Sequence, residues 1–233
     1  MMKTSSPPQT MSRSFAGSES ILITSSSGGV ALVRRKDKKC LFYTSAKNAH
    51  SACLLPKERV AVASSHGGDE LLIFDLGKSG ETVEPLARLR LEGAHGAVWD
   101  VARQRLWAHG SKELLLIDVR GQGAATELKV DQRTDLPTSG GHDLFPMKDP
   151  RYLSVTTNSR AYRYDTKENR FEPLPDLAEQ PGVKSIAQHP TTGRIVYHQG
   201  TEKTWWSDTI RFLQPGGTIR IEGERIYKVR WDQ

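Results

Sequence analysis

Residues 48–56, NAHSACLLP, decide the fold of this chain, because near-copies of them return at a steady interval. Residues 93–100 read GAHGAVWD, residues 140–146 GGHDLFP and residues 182–190 GVKSIAQHP. Aligned on the third residue, the four place His50, His95, His142 and Lys184 in one column, 45, 47 and 42 residues apart. A fifth copy, RIYKVRWD at 225–232, follows 43 residues later with Tyr227 in the column. A period of this length means a repeat architecture.

The surroundings of each copy fix the kind of repeat. After the first come 59–65 (RVAVASS), 70–76 (ELLIFDL) and 85–91, and after the second 105–109, 113–119 and 126–130. The third is followed by 151–157, 160–166 and 171–174, and the fourth by 194–198, 208–213 and 218–221. These short runs are rich in β-branched and aromatic residues and are punctuated by Gly, Pro, Asn and Asp. None carries a helical period long enough to compete with a strand. Four strands per period is the mark of a propeller blade. Asp75, Asp118 and Asp165 recur at the ends of the third strands. A β-sandwich would require five aligned copies to be coincidence.

The expected fold is therefore all-β, a single five-bladed β-propeller with four antiparallel strands per blade. Four blades take residues 48–92, 93–139, 140–181 and 182–223. The fifth joins residues 224–233, as innermost strand, to three N-terminal strands within 19–47. Such a closure leaves no open sheet edge, so loss of the last ten residues is expected to cost much stability. Residues 1–18 are Ser/Pro-rich without an apolar stretch and read as a disordered tail, not a secretory signal. No apolar run reaches membrane-spanning length. Cys40 and Cys53 fall on an outer strand and on the next blade's inner strand, which argues against a disulfide and for a reduced, cytoplasmic setting. The net charge of +6 is spread out, apart from RRKDKK at 34–39. No basic stripe is interleaved with aromatic residues, so the expectation is a monomer without nucleic-acid or membrane partners.

In a propeller the innermost strand of each blade flanks the central axis. The column residues, at the starts of these strands, must ring one mouth of the channel. His50, His95 and His142 come from consecutive blades, with Lys184 and Tyr227 completing the ring. Three neutral imidazoles converging on one point would make a site for one divalent transition metal. Asp143, beside His142, is a candidate partner for a ligating ring, although strand alternation turns it away from the axis. A ring of histidines that only holds ordered water and hydrogen bonds accounts for the same column.

A second set of histidines, His66, His109 and His198, lies at or just past the ends of second strands, with Asn158 in the equivalent place of another blade. Loops there open on the same side as the column. Only His189 is expected on the far face. The long loop at 199–207, QGTEKTWWS, carries Trp205 and Trp206, which have the shape to stack on a sugar ring or cap a pocket. Packing of one ring on the neighbouring blade is the plainer reading of that pair. Arg225, near Lys184 and Tyr227, is a further candidate for a carboxylate or phosphate. Trp99 and Trp231 sit at one inner-strand position and read as inter-blade core. No phosphate loop, nucleophile elbow or Ser/His/Asp spacing occurs.

NAHSACLLP with VAVASS and LLIFDL, GAHGAVWD with RLWA, GGHDL, VKSIAQHPTTGRIVY and the closing RIYKVRWD together resemble an uncharacterised family of bacterial propellers. The resemblance covers nearly everything after the tail. It implies five blades and no particular activity. In architecture alone, a His-lined face is similar to that of the manganese-dependent oligogalacturonate lyases, which have more blades and whose motif has no residue-by-residue match here.

The leading functional expectation is a ligand-binding propeller whose His-rich mouth takes a small anionic or saccharide ligand. One alternative is a metal-dependent lyase or hydrolase of acidic saccharides, with His50, His95 and His142 on the metal and Lys184 or Tyr227 as base. The other is a protein-interaction scaffold, which would need a large exposed apolar patch.

Overall fold

The computed structural model describes residues 10–14 and 19–231. Among the described residues, the alternation of β-branched and small residues with turn residues produces twenty strands in five four-stranded antiparallel sheets. The first blade holds β1 (Thr10–Ser14), β2 (Ser20–Ser25), β3 (Gly29–Arg34) and β4 (Cys40–Ser45). Next come β5 (Ala49–Leu55), β6 (Arg59–Ser64), β7 (Glu70–Asp75) and β8 (Ala87–Arg90). The third has β9 (Gly96–Asp100), β10 (Arg105–His109), β11 (Glu113–Arg120) and β12 (Glu127–Asp135). The fourth has β13 (Asp143–Pro146), β14 (Tyr152–Thr156), β15 (Ala161–Asp165) and β16 (Arg170–Pro173). The last has β17 (Val183–Gln188), β18 (Ile195–Gln199), β19 (Thr209–Leu213) and β20 (Gly217–Arg220). The expected five-bladed, all-β architecture is thus the observed one, and among the described residues no helix is long and apolar enough to cross a membrane.

Burial follows position within the blade. Every residue of β6 is buried, because a second strand is covered on both faces by neighbouring sheets. The outer β12 alternates between exposed and half-buried residues, and β20 is exposed throughout. The core lies between blades: Ala61, Leu71 and Ile73 of the second meet Leu106, Leu115 and Ile117 of the third. Trp107 of the third meets Tyr164 of the fourth edge-on at 5.4 Å. The recurrent third-strand aspartates hold turns and pair with arginines. Asp75 accepts the Gly77 amide at 2.9 Å, Asp118 pairs with Arg105 and Arg120, and the buried Asp165 is gripped by Arg151. Trp99 and Trp231 are half-buried against apolar neighbours, as expected of inter-blade packing.

The closure differs from the expected one. Residues 10–14, not 224–233, form the fourth strand of the first blade, running antiparallel to β2 from Thr10↔Ser25 to Ser14↔Ile21. That part of the expected tail is therefore a strand, and the remainder of residues 1–18 lies outside the described residues. Strand pairing is made by main-chain groups, so the polar TMSRS serves as well as an apolar run. With β2 satisfied, the C-terminal segment makes one isolated bridge, Ser207↔Ile226, and then passes along the axis. There it supplies apolar cover to the last blade, with Val229, Ile226 and Trp231 packed around Ala187, Val196 and Phe212.

Two glycines let the inner strands crowd together. A Cβ on Gly96 would lie 2.5 Å from the Leu144 Cβ, and one on Gly141 would lie 2.4 Å from the Gly110 carbonyl oxygen. Backbone cannot yield as a flexible side chain can. Gly141→Ala is expected to cost about 1–3 kcal/mol, the usual range for overpacking, measured by denaturant unfolding. An unchanged midpoint would show that the strands part at no cost.

Candidate functional site

Each inner strand begins at the same end of the axis, so the column residues come together. His50 and His95 ring centroids are 4.4 Å apart, His95 and His142 5.7 Å, and His50 and Tyr227 5.7 Å. Lys184 Nζ lies 2.7 Å from His142 Nε2, which adds the fifth column residue to the run. His66 joins from its loop, 5.4 Å from His95, and Trp205 stands edge-on to Tyr227 at 5.3 Å. Trp205 is 42% exposed, while Trp206 lies beneath the Arg225 guanidinium at 4.9 Å. Arg225 itself is exposed and stacks on that tryptophan.

Below the ring the axis is filled by the C-terminal segment. Its residues touch the starts or bodies of four inner strands. Tyr227 meets His50, Lys228 donates to the His95 carbonyl at 3.4 Å, and the Val229 amide donates to Ser185 Oγ at 2.9 Å. Lys228 and Arg230 both reach Asp143, at 3.1 and 2.6 Å. Asp143 also accepts the Ile186 amide at 3.2 Å, which ties β13 to β17. The side chains of Lys228 and Asp143 are only 5% and 2% exposed, so this is a buried ion cluster with two cations on one carboxylate. Asp143 therefore does not point idly away from the axis, as alternation implied; the segment placed beside it supplies its partners.

This environment keeps the imidazoles neutral. Burial, reinforced by Lys228, lowers His50 to about 3, and burial with Lys184 nearby lowers His142 to about 3. Burial and His50 hold His95 well below its ordinary value. Burial also lowers Lys184, to about 8, and raises the Tyr227 hydroxyl well above the usual phenol range. Asp143 would be raised by burial, but Arg230 and Lys228 outweigh it and hold the carboxyl at about 2.

The expected three-histidine metal centre is not formed by this arrangement. Among the described residues no three His, Cys, Asp or Glu side chains are grouped so as to hold a metal ion. The column rings are neighbours, yet each is turned to its own partner. His50 Nε2 donates to Asn48 Oδ1 at 2.9 Å, His95 Nδ1 donates to the Gly93 carbonyl at 2.7 Å, and His142 Nε2 faces Lys184 and Asn158. His109 and His198 lie at the ends of the second strands β10 and β18, as expected, but both are fully buried instead of opening into a loop. Burial lowers each to about 4. His198 Nε2 bonds Ser207, whereas among the described residues no hydrogen-bond partner meets the buried His50 Nδ1 and His142 Nδ1. His189 packs on Trp231 at 5.2 Å, away from the column, as expected.

The motifs that build this mouth run through the whole chain, and one family model matches residues 9–233. The chain belongs to DUF6528, a family of unknown function. No curated protein matches it. Among solved structures it is similar to hydrazine synthase of Kuenenia stuttgartiensis, with a TM-score of 0.63 at 11% identity over 87% of this chain and 62% of that one. It is also similar to a chain of a mitotic checkpoint complex, with a TM-score of 0.64 at 8% identity over 98% and 70% of the two chains. A protein of Bacteroides uniformis described as a candidate 6-phosphogluconolactonase scores 0.64 at 11% identity, over 89% and 68%. At such identities these likenesses show the fold alone.

In this DUF6528 chain the sequence brought the column, His66 and Trp205 to one place. It missed Lys228 and Arg230, although both lie within the fifth copy, RIYKVRWD. Their basic character in an otherwise inner-strand pattern was the available signal: a cation on an axial strand must find a buried anion.

Proposed function

We propose that the mouth binds a small anionic ligand bearing a carboxylate or phosphate, with the half-exposed Trp205 as the face on which a saccharide ring would stack. The observation carrying this reading is Lys184. Its ammonium is on a residue 7% exposed, and its recorded partner is a neutral imidazole. Burial accounts for its lowered proton affinity, and among the described residues no carboxylate is paired with it. Asp143, on the neighbouring inner strand, is claimed by Lys228 and Arg230. A buried cation without a counter-ion is costly, and a ligand anion relieves that cost.

Thermal unfolding in malonate, inorganic phosphate and galacturonate tests the reading. At a hundred times its dissociation constant, a bound anion stabilises by about 2.7 kcal/mol. Lys184→Met is expected to remove the shift. Because Lys184 titrates near 8, binding should hold steady from pH 6 to 7 and weaken as the pH rises past about 8, where the ammonium loses its proton. Stabilisation that Lys184→Met leaves intact would overturn the assignment.

A further inference from the structure

We propose that Lys184 is a carbonyl-reactive amine that forms an imine with a small 2-oxo acid seated in the mouth. The proposal rests on the anion-binding reading of that mouth and adds a covalent step to it. Three features of the geometry carry it. Lys184 sits at the irregularity in β17 between Val183 and Ser185, both of which pair with β18, so its backbone is anchored on either side. His142 Nε2, 2.7 Å away, is positioned to accept one N–H of the amine, which leaves the nitrogen lone pair to face the mouth. Asn158 Oδ1 lies 2.7 Å from the same Nε2. One ring nitrogen cannot donate to the amide oxygen and accept from the amine at once, so the tautomer of His142 governs how the amine is held.

The surroundings also favour the unprotonated amine. Its hydrogen-bond partner is the neutral His142 imidazole, the buried His198 lies within reach of its charge, and the cations Lys228 and Arg230 pair with Asp143. With its proton affinity brought to about 8, Lys184 carries roughly a hundredfold or more free amine at pH 7 than an ordinary lysine. A 2-oxo acid suits both states of the residue. Its carboxylate pairs with the ammonium on entry, and its adjacent carbonyl carbon accepts the nitrogen lone pair once the proton has left.

In the addition the N–C bond forms and the carbonyl π pair moves to oxygen. A proton passes from nitrogen to that oxygen and gives the carbinolamine. Loss of the hydroxyl, with a second proton, as water then creates the C=N bond. The sum is amine plus ketone giving imine plus water, with no change of oxidation state and no further reactant. The protonated imine remains a cation beside the carboxylate, so the anion keeps its partner.

Reductive trapping tests this on the full chain. Glyoxylate or pyruvate is added with cyanoborohydride at pH 7, and modified lysines are mapped by peptide mass spectrometry over time. Lys184 should be labelled at least tenfold faster than the exposed Lys57 and Lys112. His142→Gln should slow that labelling severalfold. Lys184→Arg, which keeps the positive charge in case Lys184→Met fails to fold, should abolish labelling at this site and still show a malonate-dependent thermal shift. Malonate stabilisation with Lys184 labelled no faster than surface lysines would overturn the imine and leave the anion site standing. Absence of both would remove the two together.

Discussion

Replacement of Asp143 by Asn is expected to be among the most damaging single changes in this protein. It keeps the shape of the side chain but removes the negative charge that Lys228 and Arg230 share. Breaking one member of a buried ion cluster costs about 3–5 kcal/mol, because the remaining charges are stranded out of water. In a chain of this size that corresponds to a fall in Tm of roughly 10–15 °C. The double variant Asp143→Asn with Lys228→Met, which deletes one stranded cation, should recover part of the loss. Differential scanning calorimetry of the three proteins checks the coupling. A single variant within 1 kcal/mol of the parent would mean that water reaches the axis and the cluster is solvated.

Acid should unfold the protein well before most carboxylates titrate. His50, His95, His109, His142 and His198 all have folded-state values depressed below the ordinary 6.5, chiefly by burial. Below about pH 6.5 the unfolded chain takes up protons that the native state refuses. Stability is therefore complete above that pH and is lost as pH falls toward 4 and 3. The slope is about 1.4 kcal/mol per pH unit for each such histidine. Five acting together would remove several kcal/mol between pH 6.5 and 5.5, a large share of the 5–15 kcal/mol typical of a folded domain. Asp143, held at about 2, adds to the loss only below about pH 4. Urea midpoints at pH 8, 7, 6 and 5 measure the effect, and His109→Gln should flatten the curve by one histidine's share. A midpoint constant from pH 7 to 5 would show the rings to be solvated.

The sequence by itself determined the repeat, the number of blades, nearly every strand and the ring of His50, His95, His142, Lys184 and Tyr227. It could do so because an inner strand must restart at the same end of the axis in every blade. Equal spacing along the chain then becomes equal height around the channel. Only the tertiary structure decided what depends on neighbours far apart in sequence. Residues 10–14 could take the place beside β2 because backbone hydrogen bonding is blind to side chains. The C-terminal segment, thereby released, put Lys228 and Arg230 on Asp143, 87 residues away for the arginine. His109 and His198 lie behind the mouth because second strands are covered on both faces, a depth that periodicity alone does not encode. The three column imidazoles stand side by side without forming a metal centre because Asn48, Gly93 and Lys184 fix the direction of each ring. Ring orientation is set by packing and hydrogen bonds between blades, and spacing in the chain carries no record of it.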